Sequence, residues 1–250
     1  MYAHQEIVYK YVDTPYQSVI AQIGFLAEKY LRYLPREIPE FPSHGPDHSS
    51  SLIQIINDFV SNWDNDLSEE EIFLLYVSAW VHDIGCLVSR EDHQKKSVEL
   101  IDKHEMFKQL LGQNLYTCLK YVVKYHSSHE RIVEVPSEWG GIHLQKLCSI
   151  FRILDACEIC ETKCPNEVYT VVMSSDRPFG AEANSYWKAH MNIQSLKFES
   201  PKIKIYVDDL TECKILTGKL EEEILGVKDY LHGIPCPIVE VIQINDEAFS

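Results

Sequence analysis

The sequence feature that most constrains the fold is an apolar run that ends in a charged pair. Residues 72–81 are almost wholly apolar, and His82 and Asp83 follow directly. Ser68 precedes the run, and Glu71 lies three residues after Ser68. This is the spacing of a capping box at a helix start. The pattern predicts a helix that is apolar on all sides and lies in the middle of the domain.

The charged pair should lie at the protected end of this helix. Gly85 is the predicted stop, because glycine accepts the left-handed conformation that often closes a helix. A buried carboxylate without a partner is costly, so Asp83 must find a cation, a metal ion or hydrogen-bond donors.

Length and charge narrow the class of protein. The 250 residues suffice for one large domain, or for a domain with a small appendage. A formal net charge of -15 argues against non-specific binding to nucleic acid or to anionic membranes, since both need clustered Lys and Arg. An anionic substrate would therefore need local cations.

The sequence predicts a cytoplasmic protein without a membrane partner. No run of about 18 apolar residues occurs. The first six residues lack the basic region and apolar stretch of a signal peptide. The eight cysteines are therefore expected to be reduced thiols rather than disulfides.

Two other predicted helices carry a polar side chain on or beside the apolar face. His48 lies one turn before Leu52 and should point inward, because it shares the face of the stripe that Leu52 begins. Asp155 follows Phe151 by four residues, at the end of a second stripe. That stripe consists of Leu144, Leu147, Cys148, Phe151 and Leu154.

The remaining segments predict a mainly α fold. Helices are expected from about Thr14, after Asp92, and from about Asn114 to His126. Residues 127–141 contain proline and a glycine pair, so they are predicted to be a loop, acting as a movable flap.

The carboxyl-terminal part has a different pattern. Alternating residues on either side of Pro201 predict a hairpin, and a helix near Leu225 and a strand from Ile238 follow. We therefore predict a helical domain over residues 1–185 and a small α+β subdomain over residues 186–250.

Four side chains, each near the inner face or the end of a predicted helix, could form one site. They are His48, His82, Asp83 and Asp155. Imidazole and carboxylate groups ligate Mn, Fe, Co, Ni and Zn, and carboxylates also suit Mg. Converging helices can hold such a site. Taken singly, His48 could be a satisfied core histidine, Asp83 a helix-end hydrogen-bonder and Asp155 a partner of Arg152.

This order of residues resembles the HD-domain superfamily of metal-dependent phosphohydrolases, an all-α fold named for a His, a His-Asp pair and an Asp on successive helices. The likeness covers roughly residues 40–165 and rests on the segments Gly45–His48, His82–Gly85 and Phe151–Asp155. It implies that His48, His82, Asp83 and Asp155 hold a first divalent ion.

The resemblance also implies a second metal site. His93 and His126 fall where binuclear members carry further ligands, and Asp83 would then bridge the two ions. His129 competes for the same role. One or two ions per chain are expected, chosen from Mn, Fe, Mg, Ni, Co and Zn.

Two departures from the family pattern leave the general acid and the substrate class open. Many members have lysine where this chain has Cys86, and the glutamate that some mononuclear members carry three residues after the Asp is absent.

Three cysteines near the last predicted ligand have a simpler interpretation than a metal site. Cys157, Cys160 and Cys164 are spaced to share one helical face, and no fourth ligand motif accompanies them. We expect buried thiols that pack as small hydrophobes rather than a zinc or iron-sulfur site.

The ligand set predicts attack on a phosphate ester by a metal-bound hydroxide, because a bound ion lowers the pKa of its water and offsets phosphate charge. Arg152, Arg131 or Lys124 could neutralise the remaining charge, or could be ordinary solvated cations. If His93 and His126 do not ligate, either could donate a proton to the leaving oxygen.

The predicted function is hydrolysis of a small-molecule phosphate ester, a nucleotide or a related compound, as a phosphomonoesterase or phosphodiesterase. Asp83, His126 and Arg152 are the predicted catalytic residues. The alternatives are a di-iron oxygenase of the HD fold, and a non-catalytic binding module with a structural metal site.

Overall fold

The structure is a computed structural model that describes residues 7–34, 40, 42 and 44–244. Its helices and strands are α1 (Thr14–Leu31), α2 (Pro46–Asn62), α3 (Glu69–Val81), α4 (His93–Lys103), α5 (Glu105–Tyr125), α6 (Leu144–Ala156), α7 (Asn166–Met173), α8 (Ala181–Met191), β1 (Ile193–Glu199), β2 (Lys202–Val207), α9 (Lys214–Val227) and β3 (Ile238–Gln243). Short 3-10 turns span Ile84–Leu87, Ile132–Glu134, Glu161–Lys163 and Lys228–Tyr230. The predicted mainly α fold with a small carboxyl-terminal α+β part is confirmed.

Helix α3 is the central helix, as its sequence predicts. Its capping box is formed: the Glu71 amide donates to the Ser68 hydroxyl, and the Ser68 amide donates to the Glu71 carboxylate. Every residue from Glu71 to Val81 is buried, and α1, α2, α5 and α6 pack around the helix. Burial of a large side chain such as Phe73 stabilises the fold by about 1.5 to 3 kcal/mol.

The carboxyl-terminal strands form one sheet in the order β1-β2-β3. β1 and β2 are the predicted antiparallel hairpin, whereas β3 runs parallel to β2 after the chain has passed through α9. β1 packs on α2, and α9 packs on α6 and α8. Side chains from these elements and from the helical part belong to one hydrophobic cluster. The domain boundary between residues 185 and 186 stays a prediction.

One helix start differs from the sequence-based expectation. α5 begins at Glu105 rather than near Asn114, and it is interrupted at Gly112, whose φ is 68°. The prediction found only the regular part after this break. Asp92 does precede α4, but its side chain makes no capping hydrogen bond. Within the described part of the chain, no helix combines the length and the apolar character needed to cross a membrane.

The turn after α3 fixes the His-Asp pair, and the predicted left-handed stop at Gly85 is wrong. The helix ends at Val81, and the described glycines with positive φ lie elsewhere. Glycine is needed at this position for space, because a Cβ would lie 2.1 Å from the His93 carbonyl oxygen and 2.3 Å from the Ser97 amide nitrogen. The Ser97 hydroxyl accepts from the Gly85 amide at 2.8 Å and donates to the His82 carbonyl at 2.5 Å. α4 therefore packs directly on the turn.

Gly85→Ala should destabilise the protein by about 3 kcal/mol, because backbone atoms of α4 cannot move aside cheaply. The control is Gly218→Ala in α9, where an added Cβ meets nothing within 4 Å. That change should raise stability by up to about 1 kcal/mol, since alanine is the better helix former. Urea unfolding measures both, and a Gly85→Ala variant as stable as the wild type would contradict the close packing.

Candidate metal centre

The four residues that the sequence placed on separate helices meet in the structure. His48 lies in the first turn of α2, the His82-Asp83 pair follows α3, and Asp155 lies in the last turn of α6. The Nε2 atoms of His48 and His82 are 3.0 Å apart, and each lies 3.4 Å from Asp155 Oδ1. Asp83 Oδ2 is 3.8 Å from His48 Nε2 and 3.4 Å from His82 Nε2. These atoms form a first group of potential ligands.

A second group shares Asp83 with the first. The Nε2 atoms of His93 and His126 are 3.0 Å apart. Asp83 Oδ1 lies 3.5 Å from His93 Nε2 and 3.7 Å from His126 Nε2. The two oxygens of one carboxylate thus face two different histidine pairs. His129, the competing candidate, is exposed and does not belong to this group.

The hydrogen bonds behind the histidines leave their Nε2 atoms free to accept. Nδ1 of His82, His93 and His126 contacts the backbone carbonyls of Ser78, Arg90 and Val123, respectively. A carbonyl oxygen only accepts, so each of these Nδ1 atoms carries a proton, and Nε2 can present its lone pair to a metal ion. The Nε2 atoms of His93 and His126 lie 3.0 Å apart, so two neutral rings here would place lone pairs against each other unless positive charge lay between them. The cluster is therefore suited to a cation.

His48 faces a carboxylate instead of a backbone carbonyl. Its Nδ1 lies 3.1 Å from Glu158 Oε2, and both side chains are buried. Burial and the charge of Lys163 lower the pKa of His48, but Glu158 and Asp155 outweigh them and raise it to about 10. A carboxylate behind a ligating histidine fixes the ring and increases its basicity.

The charges within the cluster support ligand character. Burial opposes ionisation of Asp83, but His82 and His93 outweigh it and hold the pKa of this carboxyl well below its usual value. The pKa of Asp155 is also low, because His82 and His48 outweigh the effect of burial. Burial, together with His82 and His93, lowers the pKa of His126 to about 4. His126 is therefore neutral at pH 7, the form that binds metals.

The spacing of the atoms fits divalent ions. Ligands about 2.1 Å from one ion lie about 3.0 Å apart at an octahedral angle and about 3.4 Å apart at a tetrahedral angle. The separations in both groups, from 3.0 to 3.8 Å, lie at or slightly above these values. Buried His and Asp groups of this kind could bind a metal ion.

A cavity of about 370 Å³ adjoins the cluster. Asp83, His93, His126 and Asp155 line it, and so does Arg152. α8 and α9 contribute Glu182, Tyr186, His190, Leu216, Lys219 and Glu223. The carboxyl-terminal helices therefore complete the space next to the potential ligands.

The predicted cations have different surroundings. Arg152 lines the cavity, but it donates to Glu223 and to the carbonyl oxygen of Glu130, not to Asp155. Arg131 and Lys124 are not among the described residues that line the cavity. Arg152 is thus the one of the three candidates that lies next to the site.

The prediction that three cysteines share a helical face is wrong. α6 ends at Ala156, so Cys157 is its C-cap residue, and Cys160 and Cys164 flank the next short turn. Cys157 and Cys164 are fully buried, and burial raises the pKa of both thiols. They pack as small apolar groups, as expected.

Sequence reasoning missed Glu158 and Lys163. Lys163 Nζ lies 2.5 Å from Glu158 Oε2, and it donates to the Glu158 carbonyl oxygen at 3.4 Å. Both residues line the cavity. Glu158 does follow Asp155 by three residues, but α6 has already ended at Ala156, so helical periodicity carries no signal for it.

Glu158→Gln keeps the side-chain size and removes the charge behind His48. We expect the affinity for Mn²⁺ to fall by about 10- to 100-fold, the usual effect of losing such a partner. Glu161→Gln, which changes an exposed carboxylate in the neighbouring turn, is the matched control and should bind Mn²⁺ normally. Calorimetric titration measures both, and wild-type affinity in Glu158→Gln would exclude this role.

Comparison with known families agrees with the resemblance drawn from the sequence. The HD-CE family model matches residues 38–236, which is most of the chain and includes every potential ligand. No curated protein matches the chain. The chain belongs to the HD-CE family and contains an HD-type domain.

Proposed function

We propose that this protein is a metal-dependent phosphohydrolase that acts on a small phosphate ester, a nucleotide or a related compound. The single observation that carries the proposal is the position of Asp83, whose two carboxylate oxygens face two histidine pairs next to a cavity. An HD-type domain with a His/Asp cluster of this kind fits a metal-dependent hydrolase.

The proposed ligands fall into two sets that share one residue. His48, His82, Asp83 and Asp155 would hold one divalent ion, and His93, His126 and Asp83 would hold a second. Bound ions of this type lower the pKa of a coordinated water and offset charge on phosphate oxygens. Mn, Fe, Mg, Ni, Co and Zn all accept these donors to differing degrees.

The protein's own residues would orient the substrate and balance its charge. Asp83 contacts both histidine pairs, so it would fix their positions relative to each other. Arg152 is 8% exposed, and its contact with Glu223 keeps the guanidinium at the cavity wall. From there it can offset part of the charge on the phosphate.

The size of the cavity and the charge of the protein favour a small substrate. The cavity volume of about 370 Å³ lies within the range of small-molecule pockets, about 300 to 1,000 Å³. The net charge of -15 disfavours wide contact with a nucleic acid backbone. A single nucleotide or a similar ester is therefore preferred over a polymer.

Asp83→Asn should abolish hydrolysis and reduce metal content, because the amide cannot supply two anionic oxygens. We expect a loss of activity of about a hundredfold or more, larger than the usual effect of removing an outer partner. Asp92→Asn, which changes an exposed carboxylate nearby, is the control. The test is a panel of nucleotides and phosphodiesters with Mn²⁺, combined with elemental analysis. Unchanged hydrolysis by Asp83→Asn would refute the proposal.

The second donor set also suits iron, which gives the di-iron oxygenase as an alternative. His93 and His126 with a shared Asp83 are ligands that iron accepts as readily as manganese does. A hydrolase should regain full activity with Mn²⁺ or Mg²⁺ after chelation and consume no dioxygen. Two irons per chain with dioxygen consumption, and no hydrolysis with Mn²⁺, would favour the oxygenase instead.

A further inference from the structure

The cations that line the cavity differ in their availability to a ligand. The lysines and arginines among the described lining residues are Arg90, Arg152, Lys163 and Lys219. The Nζ atom of Lys219 lies 4.3 Å from the ring centroid of Tyr186, and the lysine is exposed to solvent. Lys163 differs from it because its side chain is only 11% exposed.

The two arginines are also in different positions from Lys163. Arg90 is exposed and shares a hydrogen bond of 3.2 Å with His44. The Nε–H group of Arg152 donates to the Glu223 carboxylate. Lys163 is therefore the lysine that combines low solvent exposure with a place in the wall of the cavity.

Lys163 is held by Glu158 and keeps a donor available. An ammonium has three N–H donors; Lys163 donates one to the Glu158 carbonyl oxygen and forms an ion pair with the Glu158 carboxylate. Burial lowers the pKa of Lys163, but Glu158, Asp155 and Asp83 outweigh it and raise the pKa. The group is therefore charged, and it lies within electrostatic reach of the carboxylates of the metal centre.

We propose that Lys163 binds a phosphoryl oxygen of the substrate next to the metal centre, while Glu158 holds the ammonium in place. This inference rests on the proposed phosphohydrolase function. A lysine ammonium is a compact point charge that often binds phosphate. An ammonium with little solvent exposure binds more strongly because water screens it less. Glu158 thus serves two neighbours, since it contacts both His48 and Lys163.

The competing explanation is that Lys163 only neutralises Glu158 and so stabilises the metal centre. The two explanations predict different effects of removing Lys163 on metal affinity. Removing a cation beside a cation-binding site should leave Mn²⁺ affinity equal or higher, unless the lysine is needed to keep the ligands in place. Phosphate affinity should fall only if Lys163 contacts the phosphate.

The experiment measures binding of inorganic phosphate to the Mn²⁺-loaded protein, and of Mn²⁺ alone, by calorimetry. Lys163→Gln keeps hydrogen-bond donors for Glu158 but loses the charge, so phosphate affinity should fall by about tenfold or more. Lys163→Arg keeps a cation and should lose less. Lys188→Gln removes an exposed charge outside the cavity lining and should change phosphate affinity by less than about twofold.

Three results would overturn the proposal. They are phosphate affinity in Lys163→Gln equal to that of the wild type, a parallel fall in Mn²⁺ affinity, and no phosphate binding by the loaded wild-type protein. If Lys163→Gln does not fold, the double variant Glu158→Gln with Lys163→Gln replaces it. The double variant removes both charges of this pair, so that neither is left without its partner. That double variant should bind phosphate about tenfold more weakly than Glu158→Gln alone.

Hydrolysis assays on the same variants separate this inference from the proposed function. Loss of phosphate affinity in Lys163→Gln, in a protein that hydrolyses no ester, would support the subsite and count against the hydrolase. An active Lys163→Gln variant with unchanged KM and unchanged phosphate affinity would refute the subsite and leave the hydrolase standing.

Discussion

Asp83 is a buried carboxylate at the end of an almost wholly apolar helix, and the histidines around it make that burial tolerable. An isolated charge in such a place would cost several kcal/mol. His48, His82, His93 and His126 surround it at 3.4 to 3.8 Å, and His82 and His93 outweigh burial and lower the pKa of the carboxyl. These histidines come from or adjoin α2, α3, α4 and α5. The packing of these helices and the electrostatics of the site therefore both depend on Asp83.

Much of the fold and of the cluster could be predicted from the sequence, because the signals are local. The capping box at Ser68 and the apolar run after it define α3, and the stripe after His48 shows which way that ring points. Glycine was harder to interpret. Gly85 suggests a left-handed stop when only the sequence is known, but it is required because α4 packs on it, and α4 lies later in the chain.

Glu158 and Lys163 could not be predicted, because nothing in the local sequence marks them. Both lie beyond the end of α6, where helical spacing no longer relates one residue to the next. Glu158 matters through its contact with His48, on a distant part of the chain, and Lys163 through its contact with Glu158. The contribution of α8 and α9 to the cavity is hidden for the same reason. The sequence pattern predicts α9 as a helix but gives no prediction for α8, and it does not show which residues of either element face the cluster.

The charges that line the cavity determine the order in which ligands can bind. Arg90, Arg152, Lys163 and Lys219, together with His48, are opposed by Asp83, Asp155, Glu158, Glu182 and Glu223, so five cationic side chains face five carboxylates. Lys163 is matched by Glu158, and Arg152 is matched by Glu223. Without divalent ions the cavity therefore has no surplus of positive charge, in a protein whose net charge is already -15. Each divalent ion adds two positive charges beside these pairs, so the cavity should attract a phosphate only after ions are bound.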